Sequence, residues 1–414
     1  MISEITGGVT AAKGFRAASC AAGIKYQGRT DMAMIACDVP CAVAGTFTSN
    51  RVKAAPVLWD MDVVFNRKQA QAVVVNAGIA NAATGETGLA LCRETAMAAG
   101  ARLGIPAGSV LLGSTGVIGP NIPLDRITAG VDMMVPVLSD TAEAGTAASK
   151  AIMTTDTVSK ERAVQFTLPG ADGADVAVTL GGMSKGSGMI HPNMCTMLAY
   201  LTTDCAVDQA LLQQALREVV QDTFNMISVD GDTSTNDTLL VLSSGLAGNR
   251  PVVSADDPGY AVLKSALFTV CRNLAVLMAG DGEGATHLIE MTVTGADTKE
   301  NARTLARSVV SSSLVKAMIY GRDANCGRIL CALGYAGPAF DPDKVDLYLL
   351  GDSGNVCFCL GGRVQEFDED RALEILSAHD VHFTADMHMG GESAVAWGCD
   401  LTYDYVKING DYRS

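Results

Sequence analysis

The sequence has no Cys-x-x-Cys pair, little positive charge and no uncharged apolar run of the roughly 18 residues that a membrane helix needs. Each absence removes a class of protein. Thirty Lys and Arg against 45 Asp and Glu leave a net charge of −15 and a pI near 4.7. That balance argues against nucleic acid, whose phosphates call for clustered basic side chains. The first residues, MISEITGGVTAAKGF, show no basic start followed by an apolar stretch. The expectation is a cytoplasmic protein acting on small molecules, with no membrane and no nucleic acid. The twelve cysteines, spread from Cys20 to Cys399, fit neither a zinc pattern nor a disulfide framework and are expected to be buried free thiols. No fixed-period repeat or low-complexity linker interrupts the chain.

What is present is apolar and rich in turns. With 48% hydrophobic residues over 414 positions and 43 glycines, the chain can bury a large core with room for two domains. Alternation from His287 to Thr294 puts Ile289, Met291 and Val293 on one face of a strand. A helix is expected from about Lys299, with Leu305, Ala306, Val309, Val310, Leu314, Ala317 and Met318 on one stripe. Strands follow at 345–350, 356–360 and 381–387, with a helix capped by Asp368 and carrying Leu373 and Leu376 inside. Upstream, 72–76 and 110–113 read as buried strands, and Asp208 caps a helix bearing Leu211, Leu212, Ala215, Leu216, Val219, Val220 and Phe224. Strand and helix alternate throughout, which gives an α/β fold. Residues 1–284 are expected to form the main domain, 285–390 a smaller α/β domain, and 391–414 a tail returning to the active site.

The most unusual stretch is GGMSKGSGMIHPNMCTMLAYLTTD, residues 181–204. A Gly-rich loop containing Lys185 leads through His191 to Thr196, which stands at the edge of an apolar strand. A Thr hydroxyl is a weak nucleophile and needs a base within hydrogen-bond reach. Cleavage of the Cys195–Thr196 peptide by that hydroxyl would supply one, because the freed α-amine has an ordinary pKa of about 8. A Thr opening a strand is in itself unremarkable β-propensity. The sequence around this one closely resembles the cleavage site of the ornithine acetyltransferase family, also called glutamate N-acetyltransferases.

Further segments of the same family run in order along the chain. They include Lys13-Gly14-Phe15-Arg16, residues 50–56 (NRVKAAP), Ser114-Thr115-Gly116-Val117-Ile118-Gly119 and Met153-Thr154-Thr155-Asp156-Thr157, then residues 229–237, Gly282-Glu283-Gly284-Ala285-Thr286 and 405–414. The resemblance implies a layered two-domain, N-terminal-nucleophile-like architecture of the ornithine acetyltransferase/DmpA type. It implies self-cleavage between Cys195 and Thr196 into chains 1–195 and 196–414, associated as α2β2. Thr196 is then both cleavage site and nucleophile, with the Thr115 hydroxyl and the Gly116 amide as oxyanion hole. Thr154 (with Thr155 beside it), Lys185, Thr196, Glu283, Asn409 and Ser414 are implied to bind substrate. The expected reaction moves acetyl from N2-acetyl-ornithine to glutamate by a ping-pong route in arginine biosynthesis, with acetyl-CoA a second donor in some members and no cofactor or metal. The alternative is a self-cleaving N-acyl amino-acid hydrolase or aminopeptidase of the same superfamily.

Some positions depart from the family pattern. Cys195 replaces the usual Ala, His191 a small residue and His287 a Lys, while Asp323-Ala324-Asn325-Cys326-Gly327 replaces a segment that usually carries Pro and Trp. Gly351-Asp352-Ser353-Gly354 resembles a serine-protease signature but suits a hairpin turn between two strands. His379, His382 and His388 with Asp380 and Asp386 have no metal-site spacing; alternation puts His382 and His388 on one strand face.

Overall fold

The computed structural model describes residues 2–191, 197–352 and 354–411. The chain forms two compact units. The first comprises 1–186, 193–223 and 233–274; the second comprises 187–192, 224–232 and 275–414.

The first unit holds β1 (Ser3–Ile5), β2 (Phe15–Cys20), β3 (Met32–Phe47), β4 (Gln69–Asn76), β5 (Ile79–Ala80), β6 (Val110–Ser114), β7 (Val117–Ile118), β8 (Lys160–Pro169), β9 (Asp175–Lys185), β10 (Leu198–Thr203) and β12 (Thr238–Ser243). Nine of these make one sheet in the order β1-β8-β9-β10-β12-β3-β4-β6, with β2 on the first half of β3. The pairs β10/β12 and β4/β6 are parallel; the others are antiparallel. Both faces are covered, so the strands are apolar on alternate residues of either parity. Ala33, Ile35, Val73 and Val75 pack with Ala148 and Ala151 of helix α4 (Ala142–Ala151). Met32, Met34, Ala72 and Val74 face the other way, onto Cys92, Ala96 and Ala99 of α2 (Gly85–Leu103) and Ile127, Val131 and Met134 of α3 (Leu124–Met134). The short α1 (Ala55–Asp62) begins with Pro56 in its first turn, where a missing amide costs nothing. Helix α5 (Gln209–Gln221) lies along β3, its Gln213 amide bonding both N–H and C=O of Gly45 at 3.0 and 2.9 Å.

Helix α6 (Pro258–Gly280) is long and apolar enough to cross a membrane by length and composition. Its buried Tyr260, Leu263, Leu267, Val270, Leu274 and Met278 instead mark a core helix. Lys264 and Arg272 interrupt it, which is why no uncharged run shows in the sequence.

The second unit contains β11 (Ile227–Ser228), β13 (Leu288–Ala296), β14 (Asp346–Leu350), β15 (Val356–Leu360), β16 (Arg363–Val364), β17 (Asp380–Asp386) and β18 (Glu392–Cys399) in one sheet ordered β11-β18-β13-β17-β14-β15-β16. Helices α7 (Lys299–Ser311), α8 (Ser313–Gly321), α9 (Cys326–Gly334), α10 (Glu369–Leu376) and α11 (Tyr403–Gly410) complete it.

The expected elements are found, with corrections. The division falls at 274/275, inside α6, rather than at 284/285. Within residues 391–414, β18 pairs with β13 and buries Ala394, Ala396, Trp397 and Cys399, so the smaller sheet extends beyond residue 390. The stripe running from Leu305 to Met318 belongs to two helices, because Ser312 takes an extended conformation and caps α8 through its hydroxyl, which accepts the Val315 N–H. Leu314 is consequently 57% exposed, and Leu373 of α10 is 48% exposed rather than inside. All eleven described cysteines are free thiols.

The Asp208 carboxylate caps α5 by accepting the Ala210 and Leu211 N–H groups at 2.9 and 3.4 Å. Asp208→Ala is expected to lower stability by about 1 kcal/mol, read as a lower urea midpoint with unchanged slope.

Candidate active site

The sheet register of the first unit gathers four strand ends. Lys185, the last residue of β9, pairs with Leu198, and Leu198 pairs with Thr238 of β12. The Thr238 N–H donates to Met197 O at 2.7 Å, so the chain is fixed from the first described residue after Thr196. Asn236, just before β12, donates its side-chain amide to Ser114 O at 2.8 Å and so ties the end of β6 to the same place. The adjoining Asp237 is buried, and loss of solvent pushes its carboxyl well above the usual range. Hydrogen bonds from Ser234, Thr48 and the Met197 amide and the charge of Lys185 only partly offset this.

At the end of β6, Ser114 is pinned from both sides. Its hydroxyl accepts the Asn81 N–H at 2.8 Å and donates to Ile79 O at 3.2 Å. The turn that follows spends two of its three amides: Thr115 N–H on Asn76 O at 3.0 Å and Val117 N–H on Gly78 O at 3.1 Å. The Gly116 N–H between them has no backbone acceptor among the described residues. Gly116 has φ +127°, and a Cβ there would lie 2.3 Å from the Gly78 carbonyl carbon. Only glycine fits. A rigid turn presenting one amide and one half-exposed hydroxyl is the equipment of an oxyanion hole.

The Lys185 ammonium donates to Thr154 Oγ1 at 2.7 Å and lies 3.4 Å from Thr115 Oγ1. Of the two adjacent threonines, Thr154 is the one whose hydroxyl meets Lys185. Beneath it the buried Asp156 carboxylate accepts Lys160 Nζ at 2.8 Å and the Gly186 N–H at 2.7 Å through Oδ1, and the Thr154 N–H at 3.1 Å through Oδ2. Lys185 Nζ is 3.7 Å from Oδ2. Burial alone would raise the Asp156 pKa, but the charges of Lys185 and Lys160 outweigh it and hold the carboxyl well below its usual range. Asp156 and Lys160 were not singled out from the sequence. The signal available was Asp156 inside the matched Thr-Thr-Asp-Thr segment; nothing marked Lys160.

The second unit holds Glu283 and Asn409. Glu283 is buried, accepts Asn409 Nδ2 at 2.7 Å through Oε2, and presses on Gly188, where a Cβ would come within 2.3 Å of the same oxygen. The segment 187–191 is fastened at each step. Ser187 O accepts the Glu283 N–H, Asp230 accepts the Met189 and Ile190 N–H groups at 2.6 and 2.8 Å, and Ile190 O accepts the Val229 N–H. The Tyr405 hydroxyl donates to Asp230 at 3.3 Å. His191 closes the segment: Arg307 Nη2 is 3.1 Å from Nε2 and Ser228 Oγ 3.0 Å from Nδ1. A guanidinium only donates, so Nε2 accepts and Nδ1 carries the proton. Burial, then the Arg307 charge, pushes this imidazole down to about 4.

Cys195, Thr196 and Ser414 lie outside the described residues. The Gly351–Gly354 segment turns from β14 into β15, with Gly354 N–H on Gly351 O. The C-terminal histidines each take a different carboxylate: His379 Asp380, His382 Glu290 and His388 Asp346. His388 lies past the end of β17 with φ +49° and does not share a strand face with His382. No group of three potential metal ligands occurs among the described residues.

Two expectations follow. Gly116→Ala should lower the rate of acyl transfer on the order of 10²-fold or more, read as kcat at saturating substrate on folded protein. His191 titrates near 4 in the folded chain and 6.5 in the unfolded one. Between these values the unfolded chain binds the extra proton, so stability rises with pH across the window, is complete above it and is lost as pH falls through it. In urea unfolding at a series of pH values, His191→Gln should flatten this rise; parallel wild-type and variant curves would assign the slope to other groups.

The sequence profile of the ArgJ family matches residues 16–414. The chain is 50% identical over 412 residues to the arginine biosynthesis bifunctional protein ArgJ of Symbiobacterium thermophilum, covering 99% of both chains. It is 45% identical over 403 residues to that of Thermotoga neapolitana, covering 97% of this chain and 99% of the other. Among solved structures it is similar to ArgJ of Bacillus halodurans, with 43% identity and a TM-score of 0.49 over 51% of this chain and 97% of that one. It is also similar to ornithine acetyltransferase of Mycobacterium tuberculosis complexed with ornithine, with 42% identity and a TM-score of 0.42 over 47% and 99% of the two chains. With its whole length matched and half its residues shared with such a relative, this chain belongs to the ArgJ family of bifunctional arginine-biosynthesis enzymes.

Proposed function

We propose that this chain is a glutamate N-acetyltransferase that moves acetyl from N2-acetyl-ornithine to glutamate through an acetyl-Thr196 intermediate, with acetyl-CoA as the second acetyl donor of a bifunctional enzyme. The observation that carries the reading is the register of Lys185 with Leu198, two residues beyond Thr196 in the chain, together with the Thr115 and Thr154 hydroxyls at the Lys185 ammonium and the Gly116 amide that follows Thr115 without a backbone acceptor among the described residues. An anion-binding lysine and an oxyanion turn, serving a Thr nucleophile, are what acyl transfer between amino acids requires.

The chain cleaves itself between Cys195 and Thr196, and the released α-amine serves as base for the Thr196 hydroxyl. That hydroxyl attacks the acetyl carbonyl, and the oxyanion is held by Gly116 N–H and Thr115. Ornithine leaves by taking a proton from the α-amine, and the α-amine of glutamate then attacks the ester. Lys185 and Thr154 hold a substrate carboxylate, and Glu283 with Asn409 receives a substrate ammonium. Ser414 completes substrate binding. Fragments 1–195 and 196–414 remain together as α2β2 in the cytoplasm.

Intact mass and an acetyl-transfer assay on wild type and Thr196→Ala test this directly. Wild type should give two fragments and glutamate-dependent loss of acetyl-ornithine, and the variant a single chain with transfer reduced at least about 10³-fold. Acetyl-ornithine loss that needs no glutamate would make it a hydrolase, and transfer by an uncleaved variant would place the nucleophile elsewhere.

A further inference from the structure

Lys185 is a long side chain whose ammonium sits at one point, between Thr154 Oγ1 and Thr115 Oγ1. Left to itself it would carry about 2 kcal/mol of rotamer entropy. What removes that freedom is the carboxylate below it. Asp156 holds the Thr154 backbone through one oxygen, and Lys160 and the amide next to Lys185, that of Gly186, through the other. Neither charge of the Lys160–Asp156 pair is exposed at all. With Oδ1 taken by Lys160 and Gly186, the carboxylate cannot turn to form a close bidentate pair with Lys185, which stays 3.7 Å from Oδ2.

We propose that Asp156, oriented by Lys160, is a positioning residue that fixes the Lys185 ammonium for the carboxylate of amino-acid substrates while preventing its neutralisation. This deepens the proposed function and rests on Lys185 as the carboxylate contact. Asp156 reaches the substrate only through Lys185, Thr154 and Gly186. Its effect is therefore greatest on substrates that bear a carboxylate, and small where only the longer Lys185–Thr115 contact is disturbed. Lys160→Met would release Oδ1, allow Asp156 to close on Lys185, and draw the ammonium away from Thr115.

The test compares full-length Asp156→Asn, Lys160→Met and Lys185→Met with wild type in two assays. One follows transfer from acetyl-ornithine to glutamate; the other uses p-nitrophenyl acetate with hydroxylamine, in which neither donor nor acceptor has a carboxylate. Expected for Asp156→Asn is a KM for acetyl-ornithine and glutamate raised on the order of 10- to 100-fold, with the carboxylate-free reaction within about twofold of wild type. Lys160→Met should show the same selectivity with a smaller shift, and keeps the question open to measurement where Asp156→Asn fails to fold. Equal losses in both assays would make the pair merely structural and overturn the proposal. If Lys185→Met shows the selective loss and both partner variants do not, the positioning role alone fails. If Lys185→Met shows none, the carboxylate-contact reading fails with it.

Discussion

Everything at the site depends on β10 being locked in the middle of its sheet. All six residues from Leu198 to Thr203 are buried, and the strand is bonded along its length to β9 on one side and β12 on the other. The spatial order β9-β10-β12-β3 places two strands from after Thr196 between two from before it. A break in the chain before Thr196 would leave all of these ladders intact. The product of cleavage would be two interleaved chains sharing one core rather than two separable pieces, and undoing them would cost the apolar burial of the whole sheet. The same locking fixes the backbone from Met197 onward, whose carbonyl accepts the Thr238 N–H.

Around this fixed point two aspartates are treated in opposite ways. Asp156 is surrounded by cations and amide donors and stays ionised although buried. Asp237 is equally buried, and its donors fall short of the desolvation cost, so it is driven toward the neutral acid. The buried Lys160–Asp156 pair has little reason to exist for stability, since desolvation of two ions commonly cancels their attraction. Its worth lies in orientation.

Features set by local sequence were legible before the structure. The caps at Asp208 and Asp368, the alternation of β13 and the hairpin at Gly351–Gly354 all follow from residues a few positions apart. Features set by distant residues were not. Ser312 breaks a helix whose apolar stripe runs straight through it, because a serine in mid-helix and a serine cap look alike in sequence. The two units interleave, with 187–192 and 224–232 belonging to the second, and no contiguous reading could have divided the chain so. That the Thr154 hydroxyl meets Lys185, 31 positions away, is likewise set by the sheet rather than by neighbouring residues. Nothing near Lys160 in sequence marks it out, although its side chain is fully buried.

The departure at His191 can be followed to its surroundings. An imidazole where the family commonly has a small residue needs space, and its ring nitrogens need partners once buried. Ser228 and Ser311 lie 3.0 and 3.3 Å from Nδ1, and Arg307 donates to Nε2. Burial first, and the Arg307 charge second, lower the pKa of this imidazole to about 4, which favours its neutral form near pH 7. These groups come from β11 and α7, both within the second unit. The substitution is thus absorbed by its own neighbourhood. The turn at Thr115–Gly116, Lys185 and Asp156 belong to the first unit.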